Sequence, residues 1–422
     1  MTTFRTFTVI TNSVTKMKFK YFSAPRLHQY LNVKPGLFEY LGEFKSLAIQ
    51  TTYPNLSFDF NCGLRLRIPE GNWHVKIIDY DSEIVCFEDD VSDVLLVSLE
   101  KFFVHWAFAL WLDGQFVFAH IFDPKDKFVH FYYPSSGMGD RIVLFPYMEE
   151  FRKKWQCKIS CTVEPYLQEI IKLYFPNVNI TSPGNGSYAT YFPAPGFSKC
   201  YTPEEARIVP MEKIGQQIFG LQRAEKIIYH PTKPRQIQEP YVCIAAQTSA
   251  NIKSWLNPDG WGNVIDYLKN LGYRVLCIDK NRAETNYSFT VKMPEGAEDF
   301  TGEFPLSERI NFLAYAEFFI GFSSGLSWLA WAADCPVILI SGITPAWYEF
   351  STPYRVINRL VCFGCHNDTS LRWGDFSKCP YHKGTERAYE CSKKISARQV
   401  ILTIDQLLDD KRTGRLKNSN FI

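Results

Sequence analysis

The chain has 422 residues, of which 46% are hydrophobic and 21% are charged, and its formal net charge is +2. This length suggests two or three domains, and the composition is that of an ordinary soluble globular protein. The near-neutral charge argues against a nucleic-acid binder or a membrane-surface protein, and no apolar run is long enough to span a bilayer. The opening residues also lack the continuous apolar core of a secretory signal. We therefore predict a cytoplasmic location, in which cysteines stay reduced or bind metal.

The first predicted domain, residues 1–133, is rich in aromatic residues and in short alternating runs. Turn signals such as Asp113-Gly114 separate the runs LRLRI, WHVKIIDY, IVCFE, FVFAHIF and KFVHFYY. Aromatic residues favour strands, and Asp-Gly suits a tight hairpin turn. The pattern predicts an antiparallel, barrel-like β domain, interrupted by a helix near residues 91–103.

From residue 134 onward, short apolar strands alternate with amphipathic helices, which is typical of a parallel sheet. One series begins with a helix over 143–155 and a strand over 157–164, and a second series begins at VCIAA after Tyr241. We predict a first Rossmann-like domain over 134–235, which includes a Gly-, Pro- and Ser-rich loop at 183–200, and a second over 236–358. Two such domains facing a cleft resemble the GT-B arrangement of glycosyltransferases, and ligands bind outside the carboxyl ends of the strands.

Three polar loops at predicted strand ends are candidates for binding an anion. Glycines let the backbone approach a ligand closely, and free amides at a helix start attract negative charge. The candidate residues are Met138, Gly139 and Asp140 in SSGMGD; Gln247, Thr248, Ser249 and Lys253 in QTSANIKSW; and Ser324, Gly325 and Leu326 in GFSSGLSW. Each loop alone can also be explained by helix capping or by solvation, with Asp140 as a helix N-cap or first-turn residue. Three loops together favour one shared site.

Asp279 is a fourth, weaker candidate, because it ends the strand YRVLCID, where a carboxylate can bind ribose hydroxyls.

Four cysteines, Cys362, Cys365, Cys379 and Cys391, lie within thirty residues near the C-terminus. A C-x2-C pair places two sulfurs on one turn, and the other two can complete a tetrahedral site. Four thiolates leave no open position for substrate, so we predict a structural metal finger over residues 359–395. Ligand softness favours zinc, with mononuclear iron second. The alternative is a set of ordinary reduced thiols, since the chain has 12 cysteines.

These motifs and their order resemble the lipopolysaccharide heptosyltransferases. The matching segments are Met138-Gly139-Asp140, Lys253-Ser254-Trp255 with Asp259-Gly260-Trp261, and Gly325-Leu326-Ser327. The aromatic N-terminal domain and the four-cysteine finger narrow the resemblance to the bacterial autotransporter heptosyltransferase family, which modifies serines of adhesin passenger domains.

The resemblance implies ADP-heptose as the donor, with Asp140 as the base on an acceptor serine, Lys253 on the diphosphate, and inversion at the sugar. It also implies iron rather than zinc in the finger, and assembly into a homo-oligomer, a dodecamer. Ser323-Ser324 and Trp328 depart from the Asp-Thr and His of the lipopolysaccharide enzymes. The family pattern therefore does not specify the phosphate and sugar contacts at these positions.

The predicted fold class is thus α/β: a GT-B-like pair of Rossmann-type domains, preceded by the β domain and followed by the finger and a C-terminal helix and tail over 396–422. Two alternatives within enzymes stay open, a heptosyltransferase acting on lipopolysaccharide core and a glycosyltransferase that uses another nucleotide sugar. A third alternative is a nucleic-acid module, because basic residues surround the finger: Arg372, Lys378, His382, Lys383 and Arg387. The overall charge argues against that module.

Overall fold

The computed structural model describes residues 19–23, 47–133, 137–182, 186–193, 202–286, 289–371 and 378–416. Ser135, Ser136, Arg372 and most of the predicted loop at 183–200 lie outside these ranges. The chain divides into two compact units, residues 1–124 with 184–190, and residues 125–183 with 191–422.

The first unit is built from antiparallel strands, as its alternating sequence predicts. In chain order these are β1 (Phe19–Ser23), β2 (Ile49–Gln50), β3 (Ser57–Asn61), β4 (Arg65–Ile68), β5 (Trp73–Asp79), β6 (Val85–Val91), β7 (Val94–Ser98), β8 (Trp106–Leu112) and β9 (Gln115–Ile121). One sheet has the order β1-β7-β4-β3, with β2 also pairing with β3, and the other has the order β6-β5-β8-β9. Phe58 of β3 packs edge-on against Phe108 of β8, with ring centroids 5.1 Å apart, so aromatic side chains join the two sheets.

Local turn chemistry explains one hairpin and corrects one prediction. Asp113 and Gly114, with φ of 49° and 78°, form the two-residue turn between β8 and β9. Both residues are in the left-handed region, which a primed hairpin turn requires. The helix predicted near residues 91–103 is wrong, because β7 occupies that segment and pairs with β4 along its length.

The second unit contains the parallel strands that the sequence predicts. The remaining strands are β10 (Phe128–Tyr132), β11 (Lys158–Thr162), β12 (Val178–Ile180), β13 (Ala189–Tyr191), β14 (Tyr241–Ile244), β15 (Arg274–Cys277), β16 (Ala283–Asn286), β17 (Phe289–Lys292), β18 (Glu298–Asp299), β19 (Phe319–Phe322), β20 (Val337–Ile340) and β21 (Arg355–Val356). Of these, β13 pairs in parallel with β3 through Ala189 and Thr190, which belong to the first unit. In the N-terminal half of this unit, β10, β11 and β12 are parallel. In its C-terminal half, six strands form a sheet with the order β18-β15-β14-β19-β20-β21. The KFVHFYY strand, which we grouped with the β domain, is β10 and pairs with β11 in this unit.

The described helices alternate with these strands. They are α1 (Met138–Trp155), α2 (Gln168–Tyr174), α3 (Met211–Phe219), α4 (Gly260–Asn270), α5 (Leu306–Ala314), α6 (Gly325–Ala332), α7 (Glu390–Lys393) and α8 (Ala397–Arg412). Helix α8 starts with a capping box between Ser396 and Gln399. Its buried face joins the core around α4. No helix in the described ranges combines the length and the apolar character needed to cross a membrane.

The hairpin of β16 and β17 was not anticipated from the sequence. Its strands are antiparallel and pair Ala283 with Lys292, and they form a two-stranded sheet separate from the six-stranded one.

Candidate functional site

A cavity of about 720 Å³ lies in the second unit, at the carboxyl ends of its strands. Every candidate residue that the sequence singled out, apart from the cysteines, lines this cavity: Met138, Gly139, Asp140, Gln247, Thr248, Ser249, Lys253, Asp279, Ser324, Gly325 and Leu326. The structure therefore brings the three predicted loops together. The roles assigned to the individual residues stay predictions.

Asp140 belongs to the start of α1. The N-cap of this helix is Gly137, with no side-chain capping bond, and Asp140 lies in the first helical turn. Of the two structural roles predicted for Asp140, the N-cap is wrong and the first-turn position is confirmed, where a carboxylate suits the positive end of the helix dipole. The neighbouring Arg141 is fully buried, with Nε 3.9 Å from a carboxylate oxygen of Glu164. Burial lowers the pKa of Arg141, and the charges of Glu164 and Asp140 oppose that effect.

Two close glycine contacts join α1 to α6. A Cβ on Gly139 would lie 2.4 Å from Cδ1 of Trp328, and a Cβ on Gly325 would lie 2.6 Å from Cε of Met138. Real Cβ atoms do not approach neighbours this closely, so any larger residue at either position would force a shift. Trp328, which departs from the histidine of the lipopolysaccharide enzymes, thus packs over Gly139 at the cavity wall.

Lys253 ends a single turn of 3-10 helix, Asn251–Lys253, on the loop between β14 and α4. We call residues 247–256 the lysine loop. Its shape is held internally, because Thr248 Oγ1 donates to the carbonyl oxygen of Ala250 at 2.7 Å and contacts Ser254 Oγ at 3.1 Å. Lys253 itself forms no ion pair with any carboxylate of the described chain. Its cation is therefore available to an anion in the cavity.

Asp279 is almost completely buried, with 1% of its surface exposed, at the end of β15. Its Oδ2 accepts hydrogen bonds from the amides of Ala246 at 2.8 Å and Gln247 at 3.3 Å. Burial raises the pKa of Asp279, and these amides oppose the shift. The carboxylate thus anchors the start of the lysine loop. The predicted contact with ribose hydroxyls stays a prediction.

Several cavity residues were not predicted from the sequence. One of them, Glu349, is the centre of a hydrogen-bond network. Its Oε2 accepts hydrogen bonds from Ser323 Oγ at 3.0 Å, Thr344 Oγ1 at 3.0 Å and Arg355 Nη1 at 2.9 Å. The side chains of Glu349 and Arg355 are each 5% exposed. Ligands bind outside the carboxyl ends of parallel strands. The segment after β20, where Ser341 begins a polar turn, is such a strand end, so the same rule predicts cavity residues near Glu349.

The cysteine-rich segment, residues 359–395, also contacts this part of the molecule. The amide of Gly364, in the C-x2-C turn, donates to the carbonyl oxygen of Gly342 at 2.9 Å. A Cβ on Gly342 would lie 3.0 Å from Sγ of Cys391. The turn and Cys391 therefore meet at Gly342, and Cys365, Cys379 and Cys391 are buried while Cys362 is partly exposed.

The electrostatics of the thiols reflect this proximity. Burial raises the pKa of Cys365 to about 12, and the sulfurs of Cys379 and Cys362 add to the effect. Burial likewise raises the pKa of Cys391 to about 12, with the other three cysteines contributing. Thiols that disfavour one another's ionisation in this way gain from a cation placed among them.

A second donor set shares Cys362. Ligand atoms of Cys362, His382 and Glu390 lie within 4.8 Å of one another. The sequence pattern singled out His382 as one of the basic residues near the finger and did not predict it as a metal ligand. Glu390 already pairs with Arg387, whose Nη2 lies 2.6 Å from Oε1. Arg387 would therefore compete with a metal ion for this carboxylate.

Comparison with known proteins gives two family-model matches. Residues 54–114 match the model described as "Glycosyltransferase TibC, N-terminal domain". Residues 210–368 match "Glycosyltransferase family 9 (heptosyltransferase)". With the α/β fold and the cavity at its strand ends, these matches define the chain as a glycosyltransferase with a β-rich N-terminal domain.

Full-length relatives narrow this class. The chain is 39% identical to the autotransporter heptosyltransferase TibC of Escherichia coli O78:H11, over 84% of this chain and 90% of that protein. It is 40% identical to the autotransporter heptosyltransferase Aah of Escherichia coli, over 81% of this chain and 90% of that protein. The chain belongs to the autotransporter heptosyltransferase family. A further relative, BimC of Burkholderia thailandensis, is 32% identical over 82% of this chain and 84% of that protein and is described as inactive.

The crystal structure of TibC from enterotoxigenic E. coli, a protein described as an iron-containing dodecameric glycosyltransferase, superimposes with a TM-score of 0.82. It is 38% identical and covers 87% of this chain and 99% of that one. TibC has also been solved in complex with ADP-D-beta-D-heptose, and that structure matches with a TM-score of 0.81.

Proposed function

We propose that this protein transfers heptose from ADP-heptose to serine hydroxyls of an autotransporter adhesin passenger domain. The observation that carries the proposal is a single cavity lined by Asp140 from one half of the second unit and by Lys253 and Gly325 from the other. A carboxylate and a cation that line the same cavity suit a reaction that removes a proton from one group and releases an anion from another.

The proposed reaction is a direct displacement at the anomeric carbon. The serine oxygen forms a bond to this carbon, the bond between the carbon and the ADP oxygen breaks, and the sugar is inverted. Asp140 takes the hydroxyl proton as the new bond forms, because a neutral serine is a poor nucleophile. Negative charge accumulates on the leaving ADP, where Lys253 and the amides at the start of α6 stabilise it.

The relatives support proposals about assembly and location. TibC is described as dodecameric, and we propose that this chain also self-associates, as a dodecamer. The acceptor partner is an adhesin passenger domain, since the named relatives are autotransporter heptosyltransferases. We place the enzyme in the cytoplasm, where its many free thiols would stay reduced.

Co-expression tests this function. An adhesin passenger fragment produced with this protein in a host that makes ADP-heptose is expected to carry heptose on serine residues, as seen by mass spectrometry of its peptides. A passenger that stays unmodified while lipopolysaccharide core gains heptose would favour the first alternative acceptor. Modification by a different sugar would favour another donor. Retention on immobilised DNA without thermal stabilisation by ADP would favour the nucleic-acid module.

We further propose that Cys362, Cys365, Cys379 and Cys391 hold one structural metal ion. Three of the four thiols are buried, and the C-x2-C turn meets Cys391 at Gly342, which supports a four-thiolate site. In the described ranges no three of these sulfurs lie within 4.8 Å of one another, so binding of the ion would draw them together. We propose iron, because TibC is described as iron-containing. Zinc is the alternative that thiolate ligands equally accept. With all positions taken by sulfur, the ion supplies cross-linking of the chain and no chemistry of transfer.

Metal analysis checks this assignment. We expect one iron or zinc ion per chain in protein purified without chelators, and loss of that ion with a lower melting temperature in Cys379→Ser, because metal binding in such sites contributes folding free energy. The control is Cys157→Ser, at a buried cysteine outside the set, which should keep its metal. Metal-free wild-type protein would contradict the proposal. Metal retained in Cys379→Ser and lost in His382→Ala would move the site to Cys362, His382 and Glu390.

A further inference from the structure

Ser392, the residue after Cys391, forms two hydrogen bonds with the lysine loop. Ser392 Oγ donates a short hydrogen bond to the carbonyl oxygen of Ser254 and accepts one from the amide of Leu256 at 2.8 Å. Ser392 is 4% exposed and Ser254 is 2% exposed, so water cannot readily replace these bonds. The backbone on the C-terminal side of Lys253 is thereby fixed by the cysteine-rich segment.

Cys365 packs against the same loop from another direction. Its side chain belongs to a small apolar cluster with Ile252 and Ile343. Ile252 directly precedes Lys253 and is 2% exposed. Just beyond the loop's serine, Trp255 Nε1 donates to the carbonyl oxygen of Ile395 at 2.9 Å. Lys253 is therefore flanked on both sides by residues that the cysteine-rich segment contacts.

His366, the residue after Cys365, lines the cavity itself. Its amide donates to the carbonyl oxygen of Ile343 at 3.0 Å, and its ring lies 5.0 Å from that of Tyr348. Lys253 and Arg207 are the cations close enough to act electrostatically on the imidazole. Arg207 is in turn held by the carbonyl oxygens of Asp368 and Leu371, each at 2.8 Å. The segment thus adds a nitrogen-bearing ring to the wall that carries Lys253.

We propose that the cysteine-rich segment is a wall of the donor diphosphate site: Ser392 positions the loop that carries Lys253, and His366 contacts the diphosphate. The inference rests on the proposed donor and deepens it. We expect loss of a cysteine ligand to affect the cavity as well as the fold, because the residues beside Cys365 and Cys391 reach the cavity wall and the lysine loop. Removing the metal should therefore weaken nucleotide binding as well as stability.

Calorimetry with ADP as the probe tests both residues in the full-length, metal-loaded protein. We expect Ser392→Ala to weaken ADP binding about tenfold, since it removes two buried hydrogen bonds to the loop. We expect His366→Ala to weaken it by a similar factor, with metal content unchanged. The matched controls are Ser370→Ala, at an exposed serine of the same segment, and His230→Ala, at an exposed histidine outside the cavity. Both controls should bind ADP like the wild type.

The outcomes separate this inference from the proposed function. If the wild-type protein does not bind ADP, the proposed donor is wrong. If the wild type binds ADP, and the metal-loaded Ser392→Ala and His366→Ala proteins bind it equally well, the proposed donor is retained. The proposal that the cysteine-rich segment is a wall of the diphosphate site is then refuted. Should Ser392→Ala fail to fold, His366→Ala decides alone. Stepwise chelation of the wild type gives an independent reading, since ADP affinity should fall in step with metal content while circular dichroism still reports a folded chain.

Discussion

Replacing Asp140 by asparagine is expected to lower heptose transfer by a factor on the order of a hundred to ten thousand. Asparagine keeps the shape of the side chain but cannot accept the serine proton. The measurement is the rate of transfer to a serine-containing passenger fragment, with ADP affinity determined in parallel. Because Asp140 acts on the acceptor hydroxyl and not on the diphosphate in the proposed reaction, ADP affinity should change little, and the loss should appear in the turnover rate.

The structure predicts only a small loss of stability in Asp140→Asn. Asp140 lies in the first turn of α1 and is not its cap, so the change removes a favourable interaction with the helix dipole of about 0.3–1 kcal/mol. The nearby buried Arg141 also loses a negative neighbour. A matched control is Asp266→Asn, at an exposed position of α4 outside the cavity. A folded Asp140→Asn protein with near-normal transfer would return Asp140 to a structural role.

Replacing Lys253 by alanine is expected to weaken ADP binding about 10- to 100-fold, because a charge-assisted hydrogen bond to the diphosphate is lost. Turnover should fall as well, since the same cation stabilises the charge that develops on the leaving group. The fold should tolerate the change, because the shape of the lysine loop depends on Thr248, Ser254 and Ser392 rather than on the lysine side chain. Calorimetry with ADP and thermal melting measure the two effects separately.

Two further variants sharpen the test on Lys253. Lys253→Gln keeps most of the side-chain length without the charge, so it should behave like the alanine variant if charge is what matters. Lys269→Ala, on the exposed surface of α4 and outside the cavity, removes a lysine of the same half and should leave ADP affinity unchanged. Unaltered ADP affinity in both Lys253 variants would remove this residue from the donor site.

The alternation of strands and helices in the second unit could be predicted from the sequence, because the spacing of apolar residues within each segment differs between strands and helices. The helix predicted over 143–155 lies within α1, the strand predicted over 157–164 contains β11, and the series predicted to begin at Tyr241 begins there with β14. Parallel strands end at a common edge, so polar loops such as those of Asp140 and Lys253 had to approach one another once the fold class was known. The hairpin at Asp113-Gly114 was predictable for a similar reason, since its turn geometry is local.

Predictions failed where local pattern and tertiary pairing disagree. Residues 94–98 form a strand because β4 supplies a partner, although their sequence admits a helix. KFVHFYY is aromatic like the runs before it, yet β10 pairs with β11 in the second unit. The start of α1 at Met138 makes Asp140 a first-turn residue rather than the N-cap, a choice that the sequence alone left open.

By itself, the sequence determined the family, the fold class and which strand-end loops line the cavity, because each depends on motifs a few residues long. Only the tertiary structure decided that the cysteine-rich segment shares a wall with the lysine loop. The hydrogen bond from Ser392 to Ser254 joins residues 138 positions apart, and no local periodicity encodes such a contact. The bond forms because the buried carbonyl group of Ser254 cannot reach solvent and needs a hydrogen-bond donor. The fold places the hydroxyl of Ser392 beside it.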